Sequence, residues 1–439
     1  MTPAVGYTEM KDSGVHWIGQ IPKEWKVQKL FRCFGLIGSG TTPKSQVEDY
    51  YNGNIPWLQS GDINGGIVKS TAKSIKEIAL TECSALHMYN APFIAVAMYG
   101  ASIANTSIVA IDACTNQACC VLSSPQNGID YKFVFYAILS AKEELLLCAR
   151  GGTQPNISQE ILKQFRLPLP SLQEQTAIAA YLDTQCAKID EIIAEAKASI
   201  EDYKQWKASI IYEAVTKGLD PDTEMKDSGI EWIGEIPKSV NCSFVGKHFE
   251  ITLGKMLCNS PDNDQYTLEP YYCAANVHFS GILCDDLKEM WFSPLDKRKY
   301  LAQSGDLLVV EGGAGAGGSF VLSEQDKIAY FQNSILRVRP KRDNNVGYLK
   351  YLIEALVTQD YINYVCNRAT IPHFTKEKLS ATPFLVFSGI QQKGIADHLD
   401  DVCAKIDKII SQKQSLVFDL ESYKKSLIYE VVTGKRRVC

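Results

Sequence analysis

The chain has 439 residues, 46% of them hydrophobic, and a formal net charge of −5. That length implies two to four domains of ordinary globular composition. Residues 1–13 lack the apolar run of a secretory leader, and the weakly polar stretch 91–111 carries Tyr99, Ser102, Asn105 and Ser107, which suits buried strands better than a membrane span. The 14 cysteines include no Cys-x-x-Cys pair, so reduced, mostly buried thiols are expected, with no disulfide framework and no zinc.

The first element is a lead-in, residues 10–23 (MKDSGVHWIGQIPK). It returns at 225–238 (MKDSGIEWIGEIPK), with 11 of 14 positions identical at an offset of 215. The end of the first half returns too: LDTQCAKID at 182–190 matches LDDVCAKID at 399–407. One register runs through the chain, so it divides into 1–25, 26–170, 171–217, 218–240, 241–387 and 388–439. The repeated parts form a shared scaffold and the two interiors diverge.

The interiors read as α+β. In the first, 94–98, 107–111 and 118–122 suggest strands and 131–148 a helix; Pro168 and Pro170 bound a short extended run. In the second, 306–310, 319–322 and 335–338 suggest strands and 346–365 a helix.

Each half ends in a long heptad-spaced helix. Leu182, Cys186, Ile189, Ile193, Ala196, Ile200, Tyr203, Lys207, Ile210 and Ala214 step by four and three. Leu399, Cys403, Ile406, Ile410, Lys413, Val417, Leu420, Lys424, Leu427 and Val431 do the same. Matched registers favour the two helices packing on each other; the alternative is each packed on its own lobe. Gly218 and Gly434 stand where helix C-caps belong.

The acidity lies off the interiors. Residues 218–240 carry −4 and 171–217 carry −3, against +1 for 24–170 and −1 for 241–387. Near-neutral lobes permit a DNA surface without demonstrating one. The basic candidates are Lys44, Lys69, Lys73 and Lys76 in the first lobe, and Lys297, Arg298, Lys299, Arg337, Arg339, Lys341 and Arg342 in the second; a solvated charged face is the alternative for each. Gln59, Ser60, Asn64, Asn276 and His278 are candidate base readers, on residue type and loop position.

Catalytic signatures are weak. There is no phosphate-loop pattern. Asn90-Ala91-Pro92-Phe93 lacks a proline of the adenine-methyltransferase motif and reads as a turn before a strand. The glycine run 313–318 fits a dinucleotide pattern, but it is followed by a predicted strand where that site needs a helix, so a tight turn or a backbone approach to DNA is expected. The six histidines do not cluster. No metal or cofactor is expected.

The chain resembles the specificity subunit of type I restriction-modification systems. The resemblance rests on SGVHWIGQIPKEW (13–25) and its copy SGIEWIGEIP (228–237), GSGTTP (38–43), IPWLQSGDI (55–63), GGTQPNIS (151–158) and LPLPSLQEQTAIAAYLD (167–183). The second half departs: FLVFSGIQQKGIADHLD (384–400) lacks the Pro-x-Pro step and has Gln391 for Glu174, and IPWLQSGDI has only a loose counterpart near 271–277. The resemblance implies two target recognition domains, each reading half of a split asymmetric site in double-stranded DNA. It implies two antiparallel coiled-coil helices that set the gap, with pseudo-two-fold symmetry. It also implies two methyltransferase subunits and restriction-translocase subunits as partners, no membrane, a cytoplasmic location and no catalysis by this chain. A type II specificity subunit and a coiled-coil scaffold that does not bind DNA are the rival readings.

Overall fold

A computed structural model describes residues 7–150, 155–285, 287–359, 361 and 373–438. It contains two compact units: Met1–Ala196 with Ser415–Cys439, and Lys197–Gln414. Each unit therefore combines a lead-in, an interior lobe and stretches of both long helices, Leu172–Lys217 and Gly389–Val432. No helix among the described residues is long and apolar enough to cross a membrane.

In the first unit the lead-in is a hairpin, Met10–Asp12 antiparallel to Gln20–Pro22. Ile18, Ile21 and Trp25 sink into the core that also holds Leu427, Ile428 and Val431. The Tyr429 hydroxyl donates to the Trp17 carbonyl at 3.1 Å. Lys26–Lys29 then pairs with Arg166–Leu169, so the interior enters and leaves through one two-stranded neck. The proline-bounded run at 168–170 is the outgoing strand of that neck.

The interior is a five-stranded sheet in the order Phe34–Gly38, Cys119–Pro125, Phe93–Ala97, Thr106–Val109, Ile67–Val68. Strand alternation divides its central residues between two cores. Ile94 and Val96 face Phe133 and the rest of helix Tyr131–Ser140, whereas Phe93, Ala95 and Ala97 face Leu58, Ile63 and Tyr89. A smaller sheet places Tyr51–Leu58 between Ser74–Ile75 and Cys114–Thr115, the latter in parallel.

The second unit repeats this plan. Met225–Asp227 pairs with Glu235–Pro237, Cys242–Phe244 with Pro383–Leu385, and Phe249–Leu253 begins a four-stranded sheet. Thr267–Tyr272 lies parallel to Ala329–Phe331, as Tyr51–Leu58 lies parallel to Cys114–Thr115. The Tyr212 hydroxyl donates to the carbonyls of Trp232 and Ile233, repeating Tyr429 on Trp17.

The six expected strands form with edges shifted by one to three residues. The helix expected at 131–148 breaks into Tyr131–Ser140 and Lys142–Leu147. The one expected at 346–365 is Val346–Thr358 among the described residues. The glycine run 313–318 is a turn between Leu307–Val310 and Ser319–Val321, not a helix-opening loop. Asn90–Phe93 is the turn before strand Phe93–Ala97.

Both long helices bury their heptad positions. Leu182, Cys186, Ile189 and Ile193 share a core with Val417, Leu427 and the partly buried Leu420. In the second unit Ile200, Leu399, Cys403 and Ile406 are buried, with Tyr203 and Ile410 half-buried. Ile210 is only half-buried because its neighbour Ile211 turns onto Ile233 and Ile236 of the second hairpin. Within this unit Lys413 lies over the Tyr203 ring and Lys207 bonds Asp407, so one helix ascends in number as the other descends. The two stretches run antiparallel. Burial pushes the Cys186 and Cys403 thiols up to about 11, as seam positions require.

Gly218 and Gly434 end the helices with φ of +79° and +71°. At Gly434 a Cβ would fall 2.3 Å from the Pro22 ring, so glycine admits both the left-handed turn and the docked hairpin.

Candidate nucleic-acid interface

In the first lobe the C-terminal ends of the parallel strands Tyr51–Leu58 and Cys114–Thr115 meet several loops. Gln59 opens a short 3-10 turn, Ser60–Asp62, whose Asp62 carboxylate accepts from the Gln59 N–H at 2.8 Å. The other Asp62 oxygen accepts from the Ala72 N–H at 3.1 Å, and the Trp57 N–H donates to the Lys73 carbonyl at 3.1 Å. Loop 69–73 is thereby strapped beside residues 57–62. Lys69, Lys73 and Asn64 are exposed, and Gln59 and Ser60 half-buried. Lys44 is exposed on the loop following Gly40. A Cβ at Gly40 would stand 1.8 Å from the Thr115 carbonyl oxygen, so the GSGTTP loop can approach the strand ends only with glycine there. The structure thus brings Gln59, Ser60, Asn64, Lys69 and Lys73 together.

The second lobe builds the same turn from different residues. Cys273 opens Ala274–Asn276, and the Asn276 side chain accepts from the Cys273 N–H at 2.9 Å while donating to the Leu283 carbonyl at 3.0 Å. Asn276 takes the place of Asp62. It is 8% exposed with both side-chain atoms committed, so it is a turn clamp and not a base reader. Gly254 corresponds to Gly40: its Cβ would lie 2.2 Å from the Gln332 carbonyl oxygen. His278 is exposed, its ring nitrogen 3.1 Å from the Ala275 carbonyl.

Three second-lobe cations are spent internally. Arg337 is 5% exposed and donates to the Leu301 carbonyl at 2.6 Å; burial lowers its pKa, and it is a core residue. Its strand neighbour two residues on, Arg339, forks onto Asp306 at 2.5 and 2.8 Å. Lys297 bonds Glu269 and holds that carboxyl below its ordinary range. Sequence reading counts these as surface charge because alternation hides which face of Ile335–Pro340 turns inward. Arg298 and Lys299, by contrast, are exposed. Lys76 is tied to Asp49 at 3.1 Å.

Sequence reading missed the paired glutamines. Gln175, fully buried, accepts from the Asp130 N–H at 2.9 Å and donates to the carbonyls of Gly128 and Pro170. Gln392 accepts from the Asn345 N–H and donates to Asn344 and the Phe387 carbonyl. Each ties the start of a long helix to the N-cap of its lobe's helix. The tyrosines Tyr136 and Tyr351 repeat likewise on Asp183 and Asp400 at 2.8 and 2.6 Å. The signal was available: each pair sits in the repeat register.

A family model described as the type I restriction modification DNA specificity domain matches residues 22–202. The MjaVIII specificity subunit of Methanocaldococcus jannaschii is 24% identical over 447 aligned residues, spanning 98% of this chain and 97% of that protein. The chain is thus similar to type I restriction-modification specificity subunits, over residues 22–202 by the family model and along nearly its whole length by the MjaVIII alignment.

Other specificity subunits match over less. MjaIX, from the same archaeon, is 29% identical over 45% of this chain and 46% of its own length. The EcoR124I/EcoR124II subunit of Escherichia coli is 28% identical over 36% and 40%. Among solved structures, a chain from a study of complex assembly and conformational transition in a type I restriction-modification system gives a TM-score of 0.71 at 15% identity, covering 94% of this chain and 98% of its own. The HsdS subunit of Thermoanaerobacter tengcongensis gives 0.52 at 15% identity, covering 94% and 98%. At that identity the likeness is one of fold. That similarity favours the type I reading over the type II and scaffold readings. Hydrogen bonding accounts for one departure of the second half, Gln391 at the position of Glu174. Gln391 does not replace Glu174 in function: Glu174 accepts from Trp25 Nε1 at 3.0 Å and from the Tyr7 hydroxyl, whereas Gln391 closes a capping box with Ser388. Val240 stands at the repeat position of Trp25, so the second half offers no indole at that place.

Proposed function

We propose that this chain is the DNA-sequence reader of a type I restriction-modification complex, acting in the cytoplasm. Each lobe reads one half of a bipartite, asymmetric site in double-stranded DNA. The paired long helices hold the two lobes at a set separation and so fix the unread gap. The repeated hairpins, necks and helices receive two methyltransferase subunits, and restriction-translocase subunits complete the complex. Methyl transfer, ATP use and cleavage belong to those partners.

The observation that carries this reading is a duplicated scaffold with divergent interiors. The glutamine ties, the tyrosine–aspartate pairs, the C-cap glycines and the docked hairpins recur in both units. The exposed residues of the interiors do not: Asn64, Lys69 and Lys73 face solvent in one lobe, His278, Arg298 and Lys299 in the other. A common frame with different loops is what two readers of different sequences need. Near-neutral lobes suffice if the partners supply most phosphate contacts.

Methylome sequencing of a host expressing this chain with its methyltransferase tests the reading. The expected result is one bipartite motif with a modified adenine on each strand. A contiguous motif, or none that depends on this chain, overturns it.

A further inference from the structure

The loop after strand Phe249–Leu253 is pinned at its base. Gly254 lies against the Gln332 backbone, the Lys255 N–H donates to the Phe331 carbonyl at 3.1 Å, and the Asn333 N–H donates back to Lys255 at 2.8 Å. The Lys255 side chain runs between the rings of Tyr266 and Phe292 to the Asp296 carboxylate. From this anchor the next two residues, Met256 and Leu257, project with 75% and 53% of their surface exposed. Single exposed apolar side chains are ordinary. Two adjacent ones on a clamped loop are not, and Asp296 ties them to helix Pro294–Lys299, where Leu295 is 76% exposed.

The charges around them select the partner. Asp296 neutralises Lys255 and Glu269 neutralises Lys297, yet Arg298 and Lys299 at the end of the same short helix are exposed. Apolar projections on a loop tied to a helix with exposed cations suit duplex DNA, whose base steps accept leucine and methionine wedges while its phosphates take the cations. The first lobe lacks the device. Its corresponding loop carries Thr41, Thr42 and Pro43, with Pro43 buried and Thr42 donating to Gln117 at 2.7 Å.

We propose that Met256 and Leu257 form an apolar wedge that enters a base step in the half-site read by the second lobe, with Arg298 and Lys299 on the flanking phosphates. This rests on the lobe being a DNA reader and adds that only one half-site is unstacked. That half would be read partly through the ease of opening a flexible pyrimidine–purine step.

The test uses the full chain assembled with its methyltransferase subunits on a duplex bearing its methylated site, with 2-aminopurine placed at successive positions. The expected result is several-fold brightening at one step other than the methylated adenine, in one half-site only. Met256→Ala/Leu257→Ala abolishes that signal and keeps the one at the methylated adenine, which reports an intact complex. Leu257→Phe, a larger wedge, keeps both. No bright step besides the methylated adenine, or a bright step surviving the double substitution, overturns the wedge. So does release of the methyltransferase by the double variant, which would assign the patch to a protein contact. A host with no bipartite motif defeats the DNA-reading role itself, a separate result.

Discussion

Lys424 places its Nζ 2.6 Å from both carboxylate oxygens of Asp190, and Lys207 repeats the pair with Asp407 at 2.8 and 2.9 Å. Asp190 and Asp407, like Lys207 and Lys424, are the same position of the repeat. Both lysines interrupt an apolar seam, so the ion pairs set register at a small cost in burial. Half-exposed pairs contribute only about 0.5 kcal/mol. Lys424→Glu opposes two carboxylates and should destabilise the protein by about 1 kcal/mol. Adding Asp190→Lys restores a bridge of reversed polarity. Thermal unfolding of the single and double variants checks this; a double variant no better than the single contradicts it.

The paired glutamines predict a larger loss. Gln175→Met keeps the volume but strands the buried Pro170 carbonyl and takes the side-chain partner from the Asp130 N–H and the Gly128 carbonyl. The cost is about 3 kcal/mol, that of unsatisfied buried polar groups. Gln392→Met should cost about the same. Denaturant unfolding measures both, and a change below about 1 kcal/mol for either would show that the tie is not structural.

Glycine substitutions separate close approach from simple turn position. Gly40→Ala drives a Cβ to 1.8 Å from the Thr115 carbonyl and Gly254→Ala to 2.2 Å from that of Gln332. Gly61→Ala meets nothing within 4 Å. The first two should each cost upwards of about 3 kcal/mol and the third stay within about 0.5 kcal/mol. Protease sensitivity of the purified chain orders the three variants directly.

The second-lobe cations divide by role. Arg298→Ala and Lys299→Ala should each weaken DNA binding by the complex across sequences and reduce the slope of log K against log salt by about one. Arg337→Ala should leave that slope unchanged and lower the unfolding temperature, because its guanidinium serves the Leu301 carbonyl inside the lobe. Binding titrations at several salt concentrations, paired with thermal melts, distinguish the two effects.

What was legible in the sequence followed from periodicity and repetition. The heptads of both long helices, the capping glycines and the central strands of each lobe obey local rules that survive folding. What was hidden depended on partners far along the chain. Nothing around Ile55–Leu58 states that it pairs in parallel with Cys114–Thr115, and nothing local distinguishes the buried Arg337 from the exposed Arg298. The match between Asp62 and Asn276 is invisible residue by residue: the turn geometry persists while a carboxylate gives way to an amide. Residue type and loop position do not separate side chains that hold a loop's shape, such as Asn276, from those it displays, such as Asn64.

The central claim is that the scaffold is common and the lobes are independent readers. Replacing residues 26–170 with the corresponding lobe of a type I specificity subunit, and sequencing the methylome of a host carrying the hybrid with its methyltransferase, tests it most directly. The account predicts a new bipartite motif in which one half and the gap length are unchanged and the other half is replaced. A motif altered in both halves, or one that keeps both original halves, would contradict it.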